Sequence, residues 1–186
     1  MFELFDSKPI KNDKNISLIQ KFEEENEVCF PYALAYIYSY YNVDSIPLLK
    51  FDIDGYRMEV RSFFRLDGDN NIFNEYSMQL KNGFIDKRFV PFAFDRGGNV
   101  YYFDSKKYKA SCYEKCPVYY ISSDDVENPD MITDNIVEFL SNIFDSLLSK
   151  QEMEHLTEWI REQYFSADDI LYNNCRNKLL EFVRSI

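Results

Sequence analysis

The side chains that most often perform catalysis or bind metals are few and scattered in this sequence of 186 residues. His155 is the only histidine, and no candidate nucleophile lies near it on its predicted helix, so it makes a poor general base. Cys112 and Cys116 could supply half of a zinc site, but no second close pair of ligands accompanies them. We therefore expect no metal and no cofactor, and we expect free thiols at Cys29, Cys112, Cys116 and Cys175.

Familiar catalytic motifs are also missing. The sequence contains no Gly-Xaa-Ser-Xaa-Gly motif, no phosphate-binding loop and no dinucleotide-binding glycine pattern. Its 32 aspartates and glutamates could include a general acid and base, but sequence spacing cannot identify such a pair. The main prediction is a protein without enzymatic activity, and an enzyme with a carboxylate site is an alternative.

The negative charge is unevenly distributed along the chain. The formal net charge is −11, and residues 117–149 contain no lysine or arginine. Residues 86–115 are basic by contrast. An acidic surface disfavours nucleic acid and anionic membranes and favours a basic partner, although acidity also keeps many proteins soluble. The carboxylates of the cation-free window are Asp124, Asp125, Glu127, Asp130, Asp134, Glu138 and Asp145.

A hairpin signal occupies residues 90–104. An apolar run ends at Asp95, a Gly-Gly-Asn turn follows, and a second aromatic run leaves that turn. Glycine and asparagine tolerate the positive φ of tight turns, and Asp95 or Asn99 is expected to bond to turn amides. The residues that we assign to this structural motif are Pro91, Asp95, Gly97, Gly98, Asn99 and Asp104.

Hydrophobic periodicity predicts the elements around this hairpin. Helices are expected over 16–22, from Pro31, over 73–80 and over 132–147, and the Glu23-Glu24-Glu25 run is expected to lie in solvent. Together these elements predict an α+β fold in which helices pack on an antiparallel sheet of about five or six strands. The predicted strands are 46–51, 58–64, 89–94, 100–103 and 118–121.

Two further helices are predicted beyond this unit. We expect a domain over 1–150 and a C-terminal helical extension over 151–186 that packs on the same domain, or that forms a homodimer. No apolar run is long enough to span a bilayer, and residues 1–15 lack the apolar centre of a signal peptide. These features predict a cytoplasmic protein, either a monomer or a homodimer. The apolar side chains expected to pack are Leu156, Trp159, Ile160, Leu171, Leu179 and Phe182.

Several short motifs resemble the SUKH superfamily, the SMI/KNR-like proteins. Residues 90–104 resemble its central signature, in which Pro-Phe-Ala, Asp and Gly-Gly-Asn precede an aromatic strand that ends in Asp. Phe30-Pro31-Tyr32 is similar to the family's entry into its second helix, and residues 132–148 fit its closing helix. The chain departs from the pattern at Arg65, where the family has glycine, and at Asn42-Val43, where it often has Asn-Gly-Gly.

The resemblance implies a SUKH-like fold and a domain that binds proteins without enzymatic activity. Bacterial members of the superfamily resemble immunity proteins that neutralise a cognate toxin, and fungal relatives act as cell-wall and signalling regulators. We therefore expect a cognate protein toxin, basic in charge, as the partner, with an intracellular regulator or scaffold as the alternative. The expected contact residues lie on a predicted loop. They are Asp124, Asp125, Glu127 and Asp130.

Overall fold

Four helices and seven strands appear in a computed structural model that describes residues 12–40, 43, 48–53, 55–106, 116–143 and 158. The predicted boundary at residue 150 and the helices predicted over 151–186 lie outside these residues, apart from Glu158, which is helical. In chain order the elements are α1 (Asp13–Asn26), α2 (Tyr32–Tyr40), β1 (Leu49–Ile53), β2 (Tyr56–Val60), β3 (Ser62–Phe63), α3 (Ile72–Lys81), β4 (Phe89–Phe94), β5 (Val100–Asp104), β6 (Val118–Ser122), β7 (Asp125–Thr133) and α4 (Ile136–Ile143).

The strands form two antiparallel sheets. β1 and β2 make a hairpin of their own, whereas β3 to β7 form a five-stranded sheet in sequential order. Each pair is antiparallel, so the chain runs up and down across the sheet. The predicted α+β class is confirmed. The strands predicted for one sheet are instead divided between two, because β1 pairs only with β2 among the described strands.

Aromatic side chains fill the core between the larger sheet and the helices. Phe92 of β4 contacts Phe139 of α4, with 5.6 Å between ring centroids, and Phe30 before α2 contacts Phe103 of β5 at 5.1 Å. Tyr38 of α2 is also buried, and its hydroxyl donates to the carbonyl of Phe64 at 2.7 Å, which offsets the cost of removing that hydroxyl from water. Rings that pack edge to face and hydroxyls that find carbonyls allow this aromatic-rich sequence to bury its side chains.

The opposite face of the sheet carries a second, smaller cluster. Tyr102 and Tyr119 are cross-strand neighbours on β5 and β6, and both are buried. The Tyr102 hydroxyl donates to Gln79 Oε1 on α3 at 2.6 Å, so α3 contacts this face. Because both faces of β4 and β5 are buried, their sequences are nearly continuous apolar runs and do not alternate between apolar and polar residues.

Several predicted boundaries were wrong in detail. The predicted strand 58–64 divides into β2 and β3, which belong to different sheets, and β1 ends at Ile53 rather than at Phe51. Helix α1 extends to Asn26, and Glu23 is only partly exposed because its carboxylate accepts the Phe30 N–H at 2.7 Å. The last described helix begins at Ile136 rather than Ile132, which belongs to β7. The segment predicted as a loop after residue 121 belongs largely to β7, whose place in the sheet depends on pairing with β6.

Candidate protein-binding surface

Residues 95–99, which we name the glycine turn, connect β4 to β5. The Asp95 N–H donates to the Asn99 carbonyl at 3.0 Å, which closes the turn. Gly98 has a φ of 84°, a conformation that side chains disfavour. Gly97 has no positive φ, but a Cβ there would lie 3.0 Å from Asn99 Nδ2. The two glycines are therefore required for different reasons, one conformational and one steric.

A hydrogen-bonded carboxylate organises the glycine turn from within. Asp95 is only 8% exposed, and its Oδ1 accepts the Asn99 N–H at 2.9 Å. Its Oδ2 accepts from Asn99 Nδ2 and from the Tyr120 hydroxyl, each at 2.8 Å. Burial alone would raise the pKa of Asp95, but the hydrogen bonds from Asn99 and Tyr120 outweigh it and hold the pKa below its usual value. The turn is thus built around an ionised aspartate.

Asn99 also connects the glycine turn to the turn between β6 and β7. Its Oδ1 accepts the Ser123 N–H at 2.9 Å and the Ser123 hydroxyl at 3.3 Å. The Asp124 N–H in turn donates to Ser122 Oγ at 3.2 Å. The two turns therefore form a continuous hydrogen-bonded surface at one end of the sheet, which we name the two-turn surface (residues 95–99 and 122–125).

The acidic segment, residues 124–130, continues from this surface along the edge strand β7. Between the pairs Tyr120–Asp130 and Ser122–Asp125, the single residue Ile121 of β6 lies opposite residues 126–129. This excess of residues makes a bulge, which commonly protects a sheet edge. The acidic segment thus belongs to a strand but keeps much of the irregularity expected of a loop. Its exposed residues are Asp124, Asp125, Val126, Glu127, Asn128 and Asp130.

Charge is left uncompensated on the acidic segment, whereas some carboxylates elsewhere in the described structure form ion pairs. At the far end of β4 and β5, Lys87 pairs with Glu27 at 2.9 Å, and Arg88 approaches the buried Asp104 carboxylate at 3.5 Å. In the part of the chain that the structure describes, no lysine or arginine forms an ion pair with the acidic segment. A basic partner would therefore meet carboxylates that need not first break an internal pair.

The residues of the predicted structural motif occupy three separate places along the hairpin. Asp95, Gly97, Gly98 and Asn99 lie together in the glycine turn, close to the predicted contact residues Asp124 and Asp125. The two remaining motif residues lie elsewhere along the hairpin, because Pro91 is paired with Tyr102 within the strands and Asp104 lies opposite Phe89 at the far end.

Asn99 does not have the positive φ that could explain an asparagine at its position; among described residues other than glycine, only Glu27 has one. The hydrogen bonds of its side chain explain the asparagine instead. Sequence reasoning missed Ser123 and Tyr120 as partners of this side chain. A serine and a tyrosine that lie 24 and 21 residues away along the chain carry no local signal of such a contact.

Neither a metal site nor a membrane-spanning helix occurs within the described ranges. No group of three or more His, Cys, Asp or Glu side chains is arranged to hold a metal ion there. Cys29 is exposed and Cys116 is buried, and both are free thiols, whereas Cys112 and Cys175 lie outside the described residues. None of the described helices is long and apolar enough to cross a bilayer.

Comparison with known families agrees with this architecture. Residues 15–142, well over half of the chain, match the SMI1/KNR4 family (SUKH-1). The chain belongs to this family. The match includes every described strand, so both the two-turn surface and the acidic segment lie within the SMI1/KNR4 domain. Neither a search of curated proteins nor a search of solved structures finds a significant match.

Proposed function

We propose that this SMI1/KNR4 domain is a cytoplasmic immunity protein that neutralises a basic toxin domain by direct binding, without enzymatic turnover. The observation that carries the proposal is the acidic segment, whose carboxylates are exposed and have no cationic partner among the described residues. Membership of the SMI1/KNR4 family supports a role in protein binding. The proposed contact residues are Asp124, Asp125, Glu127 and Asp130.

The physical basis of recognition would be electrostatic complementarity on a partly prearranged surface. Carboxylates that face a basic patch accelerate encounter and fix the register of a complex. The hydrogen bonds that Ser123 donates to Asn99 Oδ1 hold the start of the acidic segment in place before the partner arrives. A surface that is already ordered loses less conformational entropy on binding. Exposed Val126 within this segment and Met131 directly after it add apolar contact area.

Charge reversal tests this proposal. In the first variant, the four proposed contact residues are all changed to lysine. In a matched control, four exposed carboxylates outside the acidic segment are reversed, so that net charge changes equally in both. The control residues are Glu24, Glu25, Asp52 and Asp69.

Association with a purified candidate toxin domain, taken first from the product of the adjoining gene, is then measured at several salt concentrations. The first variant should associate at least about ten-fold more slowly at low salt and show a weaker salt dependence than the control. Equal rates for the two variants would place the interface elsewhere. If the unaltered chain does not bind the toxin domain at all, the proposal fails, and a role as an intracellular regulator becomes the better explanation.

A further inference from the structure

The side-chain amide of Asn99 uses its full hydrogen-bonding capacity. Its Nδ2 donates to Asp95 Oδ2 at 2.8 Å and to the Tyr120 hydroxyl at 2.7 Å. Its Oδ1 accepts both hydrogen bonds from Ser123. An asparagine amide has two donor and two acceptor positions, and all of them are occupied here. Such complete satisfaction fixes the orientation of the amide between the two turns.

Neither aspartate nor alanine at position 99 could reproduce this arrangement. Aspartate at position 99 would place an oxygen where Nδ2 now donates to the Asp95 carboxylate, so two negative groups would face each other. Alanine would leave the Ser123 N–H without its acceptor. Glycine at position 97 leaves the space that Asn99 fills, because a Cβ there would lie 3.0 Å from Nδ2. The Gly-Gly-Asn motif therefore allows Asn99 to contact Ser123 in the turn between β6 and β7.

We propose that Asn99 is the positioning residue of the interaction surface: it holds Ser123 and thereby sets the position of Asp124 and Asp125 against the partner. This inference rests on the proposed function, since it assigns the family's hairpin motif a part in binding rather than in chain reversal alone. Asn99 acts through Ser123 and needs no contact with the partner itself.

The test compares Asn99→Ala with Asn71→Ala in the full chain. Asn71 is a suitable control because its Oδ1 accepts the Asn74 N–H at the start of α3, so its loss also destabilises the fold. Amide hydrogen exchange at Ser123 and Asp124 is measured by NMR, and affinity is measured for the same candidate toxin domain.

Asn99→Ala should accelerate exchange of the Ser123 amide roughly five-fold, as expected for one lost hydrogen bond. It should also weaken toxin binding by about three- to ten-fold, in line with the ordering cost of one or two side chains. Asn71→Ala should change neither quantity. Where Asn99→Ala does not fold, Tyr120→Phe serves instead, because it removes the hydroxyl that accepts from Asn99 Nδ2 and donates to Asp95 Oδ2 while it leaves the Asn99 side chain in place.

Three results would overturn the inference, and they are distinguishable. Unchanged exchange at Ser123 would mean that Asn99 does not hold the second turn. Faster exchange with unchanged affinity would mean that positioning is irrelevant to binding, and the proposed function would stand. Failure of the unaltered chain to bind the toxin domain would remove the proposed function and the positioning role with it.

Discussion

Replacing Asp95 with asparagine removes the charge on which the glycine turn is built while keeping the size of the side chain. The carboxylate accepts three hydrogen bonds, from the Asn99 N–H, Asn99 Nδ2 and the Tyr120 hydroxyl. Whichever way the new amide turns, its NH₂ group faces at least one of these donors. Loss of one hydrogen bond to a buried charge, with weakening of the others, should lower the free energy of unfolding by about 2–3 kcal/mol.

The pH dependence gives this prediction a second signature. Because the pKa of Asp95 is lower in the folded protein, its contribution to stability is fully present above the unfolded-state pKa of about 3.9. That contribution is lost as pH falls through the folded-state pKa, where the carboxylate takes up a proton. Asp95→Asn carries no such proton site, so the stability gap between the two proteins should close as the solution is acidified.

Urea unfolding of the full chain between pH 7 and about pH 3 measures this gap. Asp52→Asn is the matched control, because Asp52 is an exposed strand residue opposite Arg57 and should change stability by less than about 0.5 kcal/mol. A gap for Asp95→Asn no larger than that of the control, or a gap that stays constant with pH, would refute the reasoning.

Three further changes test other parts of the fold. Gly98→Ala should lower the free energy of unfolding by about 1–2 kcal/mol in thermal or urea unfolding, because alanine is strained at the φ of 84° that Gly98 adopts. An unchanged free energy of unfolding would show that alanine is not strained at this position. Glu23→Gln should stabilise the protein above neutral pH. Burial raises the pKa of Glu23 to about 7 in the folded protein, so the unaltered chain should lose stability as the pH rises from about 4.3 to 7. Equal stability curves for the two proteins across this pH range would show that Glu23 ionises freely. Tyr38→Phe should cost about 1–2 kcal/mol in urea unfolding, because it leaves the buried Phe64 carbonyl without a hydrogen bond, and a neutral effect would mean that water replaces the hydroxyl.

Local signals in the sequence were sufficient for the hairpin that contains the glycine turn. β4 has the predicted bounds, and β5 is one residue longer than predicted. Helix α3 was also predicted to within one residue at each end, and Asn82 and Gly83 end it as expected. These elements depend on short-range features, namely apolar runs and glycines with positive φ, that are readable without tertiary contacts.

Features that depend on distant residues could not be predicted in the same way. The acidic segment looks like a loop because it is polar and contains Asn128-Pro129, and only pairing with β6 makes it part of a strand. Glu23 belongs to a run of three glutamates that resembles a solvated helix face, yet its carboxylate accepts a hydrogen bond from the N–H of Phe30, seven residues later. The link from Asn99 to Ser123 likewise exists only after β5 and β6 have paired.

The most direct test of the central claim is whether this chain protects living cells from a toxin domain, and the product of the adjoining gene is the first candidate to be tested. Cells that express the toxin domain together with this chain should survive, whereas cells that express the toxin domain alone should not. Changing Asp124, Asp125, Glu127 and Asp130 to lysine should abolish the protection. The matched reversal of Glu24, Glu25, Asp52 and Asp69 should preserve it. Death of the cells that co-express the unaltered chain, when that chain is present as folded protein, would contradict the account.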